Sequence, residues 1–194
     1  MTQLLGTPTN LFDYFQRCVE DARDELSVPL TDDTRLYLAK LLTDRARTDI
    51  PSPPEDTLAE LHARAAHSRP SVQARTYREL GDRALYRLGC FRESLDGKTV
   101  GPRYYRTMGS AAYHRVDEVL RVWFASAFGP VFKELASQFD QCVALLDEVR
   151  RRHPESELDA LMSIYERWLA TGSDDLAARL RAKGLLLAPK HGAH

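Results

Sequence analysis

Apolar residues recur at helical spacing along almost the whole chain, most densely between Tyr77 and Trp123. Tyr77, Leu80, Gly81, Ala84 and Leu88 fall on one helical face, and Tyr105, Met108, Gly109, Ala112, Val116, Val119, Leu120 and Trp123 form a second stripe. Upstream, Leu11, Phe12, Phe15, Cys18, Val19, Ala22 and Leu26 share a face behind Thr9-Asn10, both good N-cap types, and Pro29 stops that helix. Thr31 is placed to cap a second helix whose first-turn acids, Asp32 and Asp33, suit the positive end of its dipole. Leu36, Ala39, Leu42 and Ala46 point one way along it. A short helix runs from Pro54 or Glu55 to about His67, a long one opens at Ser68-Arg69-Pro70-Ser71 and ends near Phe91, and another spans Pro102 to about Ala127.

Beyond Gly129-Pro130, the residues Phe132, Leu135, Ala136, Phe139, Cys142, Val143, Leu146 and Val149 predict one continuous helix, closed by His153-Pro154. Glu157–Ala170 and the stretch from Ser173 to Gly184 add two more amphipathic segments. No strand-like alternation and no fixed-period repeat occurs. The fold class read from this pattern is all-α, a compact bundle of about six to seven helices. It forms a single helical domain over residues 1–187, with a Pro-rich break at 50–54 and a flexible C-terminal tail at 188–194.

Composition narrows the setting. No apolar run in the 194 residues approaches the length of a membrane span, so no membrane partner is expected. Met1 to Asn10 lack the pattern of a secretory signal, and three widely spaced cysteines, Cys18, Cys90 and Cys142, do not build a disulfide framework. The expected location is cytoplasmic. Charge is nearly balanced overall but unevenly spread. Residues 1–60 hold 12 acidic and 6 basic groups, whereas residues 61–106 hold 10 basic and 4 acidic ones. These blocks either pair across the fold or leave a basic face for an acidic partner. Arg78, Arg83, Arg103 and Arg106 are the partner-binding candidates. Arg103 and Arg106 lie in the first turn of their helix, against its dipole, and so call for a carboxylate from elsewhere.

Candidate chemistry is sparse. Glycine within a helix costs about 1 kcal/mol against alanine. Gly81 and Gly109 on apolar stripes therefore need a reason, either close helix approach or room for a flat ligand such as a porphyrin. His114 is the one histidine in that block, but it falls opposite the stripe and pairs more naturally with Glu118 one turn on. It is, with Gly81 and Gly109, the weak cofactor-binding candidate set. No Glu-x-x-His, His-Glu-x-x-His, nucleophile elbow or phosphate-binding glycine loop is present, so no catalytic residue, metal site or cofactor is assigned.

The strings Glu79-Leu80-Gly81-Asp82-Arg83-Ala84-Leu85-Tyr86, Gly89-Cys90-Phe91-Arg92-Glu93-Ser94-Leu95 and Tyr104-Tyr105-Arg106-Thr107-Met108-Gly109-Ser110-Ala111-Ala112-Tyr113 resemble an uncharacterised family of bacterial helical proteins. The resemblance implies that the Gly/Tyr block is the defining unit and brings no activity with it. The expected function is non-catalytic, acting through protein–protein interaction as an adaptor, scaffold or regulatory subunit. The partner is a protein of unknown identity, and a homo-oligomer is left open. Nucleic acid is disfavoured by the sequence pI near 6.6. The alternative is a small-molecule or haem-binding helical protein, oxygenase-like, that uses a glycine-lined gap.

Overall fold

The computed structural model describes residues 11–46, 57–95, 100–124, 129–153, 160–161, 163–165, 167–168, 171–183 and 185. The expected break at 50–54 and the tail at 188–194 lie outside them. Among the described residues there is no strand, and the fold is an all-α bundle. Its elements are α1 (Leu11–Leu26), α2 (Asp32–Ala46), α3 (Leu58–Ala66), α4 (Pro70–Cys90), a 3-10 turn (Arg92–Leu95), α5 (Pro102–Phe124), α6 (Gly129–Ser137) and α7 (Phe139–Arg152). The described residues between 160 and 171 are helical (α8), and α9 covers Asp174–Ala182. No helix among the described residues is long and apolar enough to cross a membrane.

Local chemistry explains the boundaries. Pro70 and Pro102 each open a helix, where a missing N–H costs nothing and a fixed φ helps. Thr57 and Glu60 cap α3 reciprocally: the Glu60 amide donates to the threonine hydroxyl oxygen, and the Thr57 amide donates to the Glu60 carboxylate at 2.7 Å. The first helix ends before Pro29 is reached. Ser27 turns left-handed at φ 51°, the Val28 amide donates to the Arg23 carbonyl, and the Ser27 amide donates to that of Asp24. Thr31 takes the cap position of α2, its carbonyl accepting the Arg35 amide at 3.0 Å, and also ties the helix to a neighbour. Its amide donates to both carboxylate oxygens of Glu134 on α6, and its hydroxyl donates to the same group.

The helix expected from Gly129 to His153 is two helices. Gln138, at φ −107° and ψ 25°, interrupts it. The reason is packing: α6 lies on α5 and α2, whereas α7 lies on α4 and α1, and a straight rod cannot serve both. The turn also points Phe139 beneath Gly109.

The antiparallel pair α4–α5 is the spine, and three glycines set the spacing within it and to α7. A Cβ on Gly81 would lie 2.7 Å from the Tyr113 ring, one on Gly109 would lie 2.8 Å from the Ala84 Cβ, and one on Gly89 would lie 2.5 Å from the Leu146 Cβ. Four of the five buried α5 residues, Gly109, Ala112, Val116 and Val119, belong to the stripe read in the sequence, and the fifth, Tyr113, widens it. Tyr113 is completely buried and belongs to the core, while Tyr105, Met108 and Leu120 are only partly covered and Trp123 is 65% exposed. On α2 the core face is Thr34, Leu38, Leu41 and Leu42, with Ala39 beside them. Leu36 leaves that set and stands 38% exposed.

Candidate functional site

α2 and α4 touch each other little, and a groove of about 880 Å³ opens between them. Asp33, Leu36, Tyr37, Lys40, Leu41 and Asp44 line it from α2, at the spacing of one complete helical face. From α4 come Ala74, Arg75, Arg78 and Asp82. Val116 and Leu120 of α5, with Val131 and Phe132 of α6, make an apolar floor. The bond from Thr31 to Glu134 ties the start of α2 to α6 and so holds one wall to the floor.

One polar cluster lies in the wall. The Tyr37 hydroxyl donates to Asp82 Oδ1 at 2.6 Å, and the Tyr113 hydroxyl donates to the same oxygen at 2.8 Å. Arg78 Nε stands 3.7 Å from Oδ2, and its guanidinium lies over the Tyr37 ring, 6.0 Å from the centroid. The Asp82 side chain is only 13% exposed. Burial raises its pKa above the ordinary carboxylate range, against the opposing pull of the two hydroxyls and the nearby Arg78 and Arg45 charges. Burial, and then the Asp82 charge, push both tyrosines well above their usual value. The cluster ties α2, α4 and α5 together. With Oδ1 taken by two donors and Oδ2 facing an arginine, it presents no general base beside a nucleophile.

The sequence candidates are scattered. Of the four arginines, only Arg78 lines the groove. Arg83 pairs with Glu79 on its own helix, and Arg106 meets Asp140 of α7, an internal source for the carboxylate its position requires. Arg103 is exposed in the first turn of α5. Because Gly81 sits level with Tyr113 and Ala84 with Gly109, Arg78 and Arg103 stand about 18 Å apart along the paired helices. They do not form one face.

Gly81 and Gly109 do not line the groove, and the space above each is filled by the rings of Tyr113 and Phe139. A flat ligand has no gap there. His114 is exposed and sits 3.6 Å from Glu118, on the surface the helical wheel assigns it. No histidine, cysteine or methionine is among the groove's described lining residues, and no cluster able to hold a metal ion occurs among the described residues. Cys18 and Cys142 are buried, with pKa pushed up to about 12 mainly by that burial, so neither is a ready thiolate.

Sequence reasoning missed Tyr37, Asp82, Tyr113 and Arg75. The available signal was an acid next to a core glycine, in Gly81-Asp82, with an arginine four residues before it at Arg78. No family model, curated protein or solved structure matches this chain.

Proposed function

We propose that this is a non-catalytic, cytoplasmic protein that works by protein–protein contact, taking a helical segment of its partner into the groove between α2 and α4. One observation carries the reading. The apolar floor does not stop at the groove: from Val116 and Leu120 it continues one turn along α5 to Trp123 and Phe124, both largely exposed. A long apolar track with a charged rim suits an amphipathic helix, read through side chains at i, i+3, i+4 and i+7. The lining of α2 at full helical spacing supports it, since faces of that kind elsewhere in the bundle meet another helix.

The small-molecule reading keeps one supporting fact, a volume inside the usual range of about 300–1,000 Å³ for ligand pockets. A photo-crosslinking residue in place of Leu36, with a second at exposed Gln141 as control, separates the two. The helix reading expects an adduct of protein mass from position 36 alone, with the linked partner residues on one face of a helix. Adducts of small-molecule mass only would overturn it in favour of the alternative. A Soret band in the purified protein would do the same.

A further inference from the structure

The groove's charge is uneven in a way that speaks to the partner's composition. On the α2 wall, Lys40 pairs with Asp44 at 2.9 Å, and the Asp44 charge also acts on Arg78. Asp33 sits in the first turn of α2, where the helix's positive end offsets it. The α4 wall is different. Arg75 and Arg78 lie one turn apart, and Arg75 has no ion pair or hydrogen bond among the described residues. Arg78 reaches Asp82 only at 3.7 Å, and that carboxylate already accepts two tyrosine hydroxyls. Arg45, at the end of α2, adds a further cation stacked on the Tyr86 ring. The lining stripe from Asp33 to Asp44 is about 16 Å long, or about three helical turns.

We infer that the groove selects an acidic amphipathic helix, with its apolar face on the Val116–Leu120–Phe132 floor and Asp or Glu side chains along the flank that meets Arg75 and Arg78. The inference rests on the groove reading above and adds the partner's charge to it. Guanidinium groups bind carboxylates through two parallel hydrogen bonds, and the unpaired fork of Arg75 offers that geometry. A basic helix would instead bring like charge against three arginines.

The test uses the full-length protein and two synthetic amphipathic peptides of about 14 residues, enough to overhang the three-turn groove. They share one leucine stripe and differ only in carrying Glu or Lys on the flank. At low ionic strength the Glu peptide should bind at least about tenfold more tightly. The difference should shrink in about 0.5 M salt, where screening acts within a few ångströms. Arg75→Glu, which removes no internal contact, should reduce the preference to about threefold or less. Leu36→Asp should weaken both peptides. Equal affinities, or preference for the Lys peptide, would overturn the charge assignment and leave the groove reading standing. If neither peptide binds a protein that keeps its thermal stability, both fall.

Discussion

Replacing Gly109 by alanine tests the packing at the centre of the bundle. The added Cβ would stand 2.5 Å from Phe139 Cζ, 2.7 Å from Phe139 Cε2 and 2.8 Å from the Ala84 Cβ. Carbon atoms rest at about 3.5–4.0 Å, so the neighbours must retreat by about 1 Å. Phe139 cannot swing freely, because its ring is 3% exposed and packs against that of Tyr113 at 6.1 Å between centroids. The Ala84 Cβ is fixed to its backbone, so relief there requires α4 and α5 to separate. Overpacking costs about 1–3 kcal/mol, and with neither neighbour free to move the upper part of that range applies here, about 2–3 kcal/mol. Alanine's better helix propensity returns about 1 kcal/mol. The expected net loss is about 1–2 kcal/mol, or roughly 2–8 °C in Tm for a chain of this size.

Chemical and thermal denaturation followed by far-UV circular dichroism measure it. Gly101→Ala is the control, since nothing lies within 4 Å of its added Cβ. Phe139→Leu combined with Gly109→Ala should cost less than the sum of the single changes, because the smaller side chain vacates the space the methyl needs. A Gly109→Ala protein as stable as wild type, or strictly additive energies in the double variant, would refute the contact.

Two further outcomes follow from the same coordinates. Tyr113→Phe removes a hydroxyl donor from Asp82 and should cost about 1.5–3 kcal/mol where the carboxylate is ionised. Because the folded protein holds Asp82 above its unfolded range, it takes up a proton before the unfolded chain does, so this group's contribution favours folding at low pH and weakens as pH rises through the folded value. The Tyr113→Phe penalty should therefore be smaller at acid pH than at neutral pH in urea titrations, and a penalty that grows on acidification would contradict the assignment. Ser27→Gly should stabilise the protein by up to about 1 kcal/mol, since Ser27 holds a left-handed φ of 51° at the end of α1 that glycine adopts without strain. Urea midpoints of the two proteins decide it.

Element type was legible throughout the described chain, because period and capping are local properties. Pro70 and Pro102 mark their helix starts in the sequence as clearly as in the fold, whereas α3 starts at Leu58 behind the Thr57–Glu60 box and not at the expected Pro54 or Glu55. The composition of each face was only partly legible. Several neighbouring apolar rows on α5 satisfy a helical repeat, and which one turns inward depends on what packs against it. Phe139 and Ala84 close on Gly109, and Gly81 makes room for the Tyr113 ring, whereas Trp123, on the same face near the end of α5, is left in solvent. The break at Gln138 has the same origin, since it answers to two different packing partners rather than to a helix-breaking residue.

The candidate site was beyond the sequence's reach for a related reason. Tyr37, Asp82 and Tyr113 are separated by 45 and 31 residues, and each alone reads as an ordinary helical residue. Only when α2, α4 and α5 converge do two hydroxyls meet one carboxylate, and only the wide spacing of α2 from α4 leaves a groove beside them. The four arginines show the converse: proximity in sequence puts Arg78 and Arg83 on one helix and Arg103 and Arg106 on the next, yet the antiparallel pairing carries Arg78 away from Arg103 and Arg106. Local periodicity determined which segments are helices. The packing distances between those helices decided where the groove between α2 and α4 opens.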